Sequence, residues 1–394
     1  MKKNNTFRRA AALLAALSIT VSLAAPAFAG TYYIDYGDIT ITKDEHGKQT
    51  VQQGSNPAEK IGDDEEIIIT TYKKAITSLE SDLEGPAAED TGFGPVVEDN
   101  YQPAQPESTE EPEGADQPED AKEPKAADRK ESTEEPKSAD RQESADQQPQ
   151  QAAPADAAPA APAPVNPKEN GFFGNTITLI NKAATALKLT LKDVKIDVSD
   201  TGGQTGIPEK AALSVQGKGN VEIELDGDNV LKSATNKAGL EKNESDSTGM
   251  LTLKDDNKDG SLRAEAGGGA AGIGGDSHKN TKNITITGGT VEAVGGSGGG
   301  AGIGGGYRGD GKNIIINGGA VTATTTGGES GAGIGGGSGG DGGDIFIISG
   351  TVKATGGKYG AGIGGGKDSD ADTITISGGT VTAQGGENGA GIGG

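Results

Sequence analysis

The chain has 394 residues, of which 32% are hydrophobic and 3% aromatic, with no Trp and with 68 Gly. That composition excludes a large aromatic-filled core, so the chain must be repetitive, disordered in part, or both. The net charge of −23 disfavours nucleic acid and anionic membrane surfaces; the absence of Cys removes disulfide scaffolds, thiolate zinc sites and cysteine nucleophiles; and two His leave little for a His-ligated metal or a Ser-His triad.

Lys2, Lys3, Arg8 and Arg9 precede an apolar run from Ala10 to Ala25, and Ala27-Phe28-Ala29 supplies a small-x-small cleavage pattern. Residues 1–29 read as a secretory signal peptide. The run is shorter than the ~20 residues of a membrane span, so no membrane insertion is expected after cleavage. An exported chain without Cys suits a Gram-positive bacterium, and the expected location is secreted or bacterial cell surface. Residues 30–79 then alternate, in Tyr33-Ile34-Asp35-Tyr36, Ile39-Thr40-Ile41-Thr42 and Ile67-Ile68-Ile69-Thr70. They are expected to form a first coil or cap.

Residues 80–168 carry 23 acidic and 7 basic side chains and 14 of the 17 prolines. Such a segment buries too little apolar surface to offset chain entropy, so it is expected to be disordered, with a semi-rigid Ala/Pro spacer at its end. It reads either as a stalk that holds the rest away from the cell or as a tolerated low-complexity insertion.

Residues 169–394 are a repeat. Gly-Ile-Gly-Gly places its Ile at 273, 303, 334, 363 and 392, spacings of 30, 31, 29 and 29. The pairs Ile284/Ile286, Ile314/Ile316, Ile345/Ile347 and Ile374/Ile376 keep the same period, as do Val291, Val321, Val352 and Val381. A fixed period of this length marks a solenoid, and period-2 alternation marks strands. The frame extends upstream with fewer glycines, through Leu251/Leu253, Leu262 and Ile273, through Ile223/Leu225, Leu231 and Leu240, and through Leu189/Leu191, Ile196 and Leu213. An incomplete unit is expected to open at Ile177 and Leu179. The expected fold is all-β: a right-handed parallel β-helix of about eight three-strand coils, with the acidic segment as an insertion. The chain stops at Gly394 inside a repeat marker, which reads as a truncated frame.

The run from Leu189 to Val198, the run from Asn220 to Ser233, and the repeated Ile-Thr-Ile-x-Gly-Gly-Thr-Val-x-Ala with Gly-Ala-Gly-Ile-Gly-Gly resemble secreted Firmicutes surface proteins, similar to the bacterial β-helix carbohydrate-binding domain family. The resemblance implies a non-catalytic, polysaccharide-binding role, often with calcium. Its partner would be a polysaccharide or a host or cell-wall glycan.

Candidate chemistry is sparse. Asp255, Asn257 and Asp259, followed by Gly260, have the spacing of the first half of a calcium loop, but the twelfth position is Ala266. The same residues also suit a plain acidic turn. Asp226-Gly227-Asp228-Asn229 is a similar turn. Tyr307 and Tyr359 fall in turns where a ring could stack on a sugar face or simply pack. Arg308-Gly309-Asp310 spells an integrin tripeptide that short length makes unspecific. No acid and base cluster recurs in register, as a polysaccharide lyase or hydrolase would need. The readings are a carbohydrate-binding surface module, an adhesin or structural stalk without a specific ligand, and last a polysaccharide-degrading β-helix enzyme.

Overall fold

The computed structural model describes residues 30–63, 65–71, 168, 171–202, 207–326 and 330–394; the expected leader at 1–29 and the acidic segment, except its last residue, lie outside them. That last residue, Lys168, donates to the Asp197 carbonyl at 2.7 Å and pairs with Asp200 at 2.8 Å.

The alternating segments form three parallel ladders. The first stacks Leu187–Lys192, Val221–Asp226, Leu251–Lys254, Thr281–Ile286, the leading parts of Gly311–Thr325 and Gly342–Thr355, and Ile374–Ile376. The second stacks Lys195–Asp197, Asp228–Lys232, Ser261–Glu265, Thr290–Gly295, the trailing parts of the same two long strands, and Thr380–Gln384. The third includes Leu213–Gln216 and Leu240–Glu241 and continues through the Ile-Gly pairs at Ile273, Ile303, Ile334, Ile363 and Ile392. The chain is thus a parallel β-solenoid. Ile284, Ile314, Ile345 and Ile374 pair in one column, as their period implies. The first three are fully buried, and Ile374 packs against the core from the last coil.

Three upstream assignments need correction. Ile177 and Leu179 pair with Leu213 and Val215, so they belong to the third ladder and do not open the first. The partners of Leu251 and Leu253 are Val221 and Ile223, two residues before the expected register, whereas Leu189 and Leu191 stand opposite Ile223 and Leu225 as expected. Leu231 stands opposite Ala264, while Asn229 takes the place of Val291 through Leu262. Each slip is by an even number of residues. A two-residue slip keeps the same face inward, so the apolar pattern alone does not detect it. Asn229 is 1% exposed and satisfied inside the wall, accepting from Val194 N at 2.9 Å and donating to the Ser261 carbonyl at 3.1 Å.

At the other end of the stack, Thr31–Tyr33 pairs in parallel with Ile67–Thr70, which pairs in parallel with Leu187–Lys192. Ile39–Lys43 lies parallel to Ile177–Asn181. Its opposite edge carries Gln49–Gln53 antiparallel, and Glu59–Ile61 lies antiparallel on that. The hairpin reverses strand direction and covers an edge that would otherwise present unpaired backbone groups.

Glycine is needed most where coils touch through backbone. Gly304 has φ +140°, and a Cβ there would lie 1.9 Å from the Gly335 carbonyl oxygen. Neither the dihedral nor the space admits an L side chain, so the Gly-Ile-Gly-Gly marker is a requirement of close stacking.

Candidate functional site

An open groove of about 590 Å³ lies on the outer face of the first ladder. Alternation builds it. Leu187, Leu189, Val221, Ile223, Leu251 and Leu253 point into the core, so Lys188, Thr190, Glu222, Glu224 and Lys254 project outward to line the groove. The turn after Lys254 adds Asp256 and Asn257 as a wall.

The groove is a grid of alternating charge. Lys254 Nζ lies 2.9 Å from Glu224 and 2.5 Å from Asp256. Those two hydrogen-bonded carboxylates, Asp256 first, hold the Lys254 ammonium above its ordinary pKa. Lys188 lies 3.9 Å from Glu222. Thr190 Oγ1 donates to Glu66 at 2.7 Å, and Asp256 N donates to Glu224 Oε1 at 2.6 Å. At the groove's edge, a hydrogen bond from Lys192 to Asp226 at 2.8 Å raises the Lys192 pKa. Exposed pairs of this kind contribute little stability, about 0–1 kcal/mol each. Their effect is to present fixed donors and acceptors on a rigid wall.

The structure assigns the sequence candidates to different places. Asp255 Oδ1 accepts from Lys258 N at 2.8 Å, and Lys258 has φ +66°, so this carboxylate closes the turn. Among the described residues, no three His, Cys, Asp or Glu side chains gather as a metal set. Asn257 lines the groove and Asp255 and Asp259 do not. Tyr307 and Tyr359 lie away from the groove, beside the third ladder. Tyr307 follows Ile303–Gly304, stacks edge-on with His278 at 5.1 Å, and has Arg308 over its ring at 5.2 Å. Tyr359 precedes Ile363–Gly364, is 39% exposed, and is flanked by Lys358 and Lys367 at 5.3 and 5.2 Å. It borders a smaller hollow of about 210 Å³ with Lys367, Asp368 and Asn388. In the Arg308-Gly309-Asp310 corner, Asp310 accepts from Asp341 N at 3.0 Å and pairs with Lys312 at 3.4 Å. Both charged ends of the tripeptide are therefore engaged within the fold.

Sequence reasoning missed a buried polar cluster on the third ladder. Glu241 pairs with Gly274, so Glu241-Lys242 occupy the place of Gly274-Gly275 in the next coil. Lys237 bridges Glu241 at 3.0 Å and Asp276 at 2.6 Å, and Ser214 Oγ donates to Glu241 at 2.8 Å. Burial first, then the neighbouring Asp276 charge, raises the Glu241 pKa. Lys242 is fully buried, and its Nζ donates to the Ser247 carbonyl at 3.2 Å. The signal was available: charged residues stand where the following coils have glycine.

Comparison with known proteins agrees with this architecture. A family model described as Beta helix repeat matches residues 284–307, 314–338, 347–367 and 374–394. No curated protein and no solved structure matches the chain. The chain is a β-helix repeat protein.

Proposed function

We propose that this protein is a secreted or cell-surface, non-catalytic module that binds carbohydrate in the first-ladder groove. The observation that carries the reading is the groove itself, an open trough lined by ammonium donors, carboxylate acceptors, Thr190 and Asn257. A sugar hydroxyl both donates and accepts, so such a grid can satisfy a polyhydroxylated ligand. A non-catalytic role fits the engagement of the groove acids, since Glu224 is held by Lys254 and Asp256 N, and Glu66 by Thr190. The leader-like residues 1–29 and the resemblance to secreted surface proteins support export.

A glycan array probed with the purified chain should show binding that persists in high salt, because hydroxyl recognition is screened far less than charge contact. The bound glycans should be recovered at unchanged length. Binding abolished by salt would leave only a charged stalk, and shortened glycans would indicate an enzyme.

Calcium enters as a weak ligand of the Asp255, Asn257 and Asp259 turn. Three oxygens without a bidentate Glu suit an affinity on the order of 10⁻⁴–10⁻³ M. At ten times such a dissociation constant, calcium would stabilise the fold by ~1.4 kcal/mol. Thermal unfolding with millimolar calcium or with chelator should differ in the wild type and not in Asp255→Ala/Asp259→Ala. Equal shifts in both proteins would place the ion elsewhere, and no shift in either would leave the turn as a turn.

A further inference from the structure

We infer that the groove takes one ligand class, a linear polysaccharide without anionic groups, lying along the solenoid axis with one row of side chains reading each coil; this rests on the carbohydrate-binding reading above. The direction follows from register. Ile68, Thr190, Glu224 and Lys254 form one outward column, each paired with the next across successive strands. Lys188, Glu222 and Thr252 form a second column beside it. Coils rise about 4.8 Å each, so four coils give the groove a length on the order of 14 Å along the axis. Across the strands it holds two outward columns, about 7 Å apart, before Asp226 and the Asp256–Asn257 turn close it as a wall. A chain polymer fits the long dimension, and a branched or globular ligand does not.

The class follows from charge. The lining holds five carboxylates (Glu66, Glu222, Glu224, Asp226 and Asp256) against the two ammonium groups of Lys188 and Lys254. Both ammonium groups already face carboxylates. A polyuronate would meet net repulsion and would have to break those pairs, whereas hydroxyl or amino groups can bridge them.

The test uses the full chain and defined linear oligomers of glucose, xylose, mannose, N-acetylglucosamine, glucosamine and galacturonate, from dimer to hexamer, with affinity measured by calorimetry. At least one non-anionic series should gain tenfold or more from dimer to tetramer and then level off, while galacturonate stays weakest. Lys188→Ala, at a side chain 68% exposed and so harmless to the fold, should weaken the tetramer several-fold. Affinity independent of length, or strongest for galacturonate, overturns this inference and leaves carbohydrate binding standing. Binding by none of the non-anionic series overturns both.

Discussion

Ile314→Asp should unfold the solenoid around its coil, at a cost of about 3–5 kcal/mol for the unpaired buried charge alone, with the lost isoleucine packing in addition. Ile314 is 0% exposed and lies between Ile284 and Ile345 in one column, so no water or cation can reach the new carboxylate without opening the wall. The effect should carry to neighbouring coils, because each coil is stabilised by the two it touches. Two controls separate this from general fragility. Ile314→Val should cost about 0.5–1.5 kcal/mol. Ile315→Thr should be within roughly 0.5 kcal/mol of wild type, because Ile315 faces outward and its partner Thr285 already holds that position one coil earlier. Urea unfolding followed by circular dichroism is the measurement. A stable Ile314→Asp protein, or an equally damaging change at Ile315, would mean that the inward and outward faces have been exchanged. The pH response has a definite sign. Burial raises the pKa of the new carboxyl, so its penalty is present above the unfolded value of about 3.9 and is relieved as pH falls toward it.

The isoleucine columns were legible in the sequence because the same residue returns at nearly constant spacing. From Ile273 onward each marker is one Ile between glycines, and the close backbone stacking at Gly304 leaves evolution few substitutes. Upstream the markers become Leu and Val within longer alternating runs, and a two-residue slip costs nothing in pattern. That is why the expected partners of Leu251 and Leu262, Ile223 and Leu231, lie two positions from the observed ones, Val221 and Asn229. The groove was illegible for a related reason. Lys188, Glu222 and Lys254 stand 34 and 32 residues apart in the sequence and become neighbours only once the upstream register is fixed. Local spacing also does not say which side chains a corner will use for itself. Asp255 has the spacing of a ligand, and one of its oxygens also closes the turn by accepting from Lys258 N.

Lys242→Met is expected to make the protein more stable at neutral pH, by about 2 kcal/mol or more. Lys242 lies one residue beyond the pairs Leu240–Leu213 and Glu241–Ser214, and so runs in register with Val215, an inward position. Burial first, and then the like charge of Lys282, lower its pKa from 10.5 to about 8, with Glu244 opposing weakly. Glu244 is itself held by Lys282 at 2.7 Å, so little of its charge is left for Lys242. The sign follows from proton binding. Below pH 8 the ammonium is charged in both states, and the fold bears the full cost, about 3 kcal/mol for a shift of this size. Between pH 8 and about 10.5 the unfolded chain binds more protons than the folded one, so wild-type stability rises through that window. Methionine has a similar length and no charge, and it gives up one hydrogen bond to the Ser247 carbonyl. The two proteins should therefore differ most at pH 7 and converge near pH 10.5, as read from urea midpoints across the range. A variant less stable than wild type at pH 7, or a gap that does not change with pH, would show that the buried ammonium is held by partners strong enough to keep it charged, and that Lys242 strengthens the wall in which it sits.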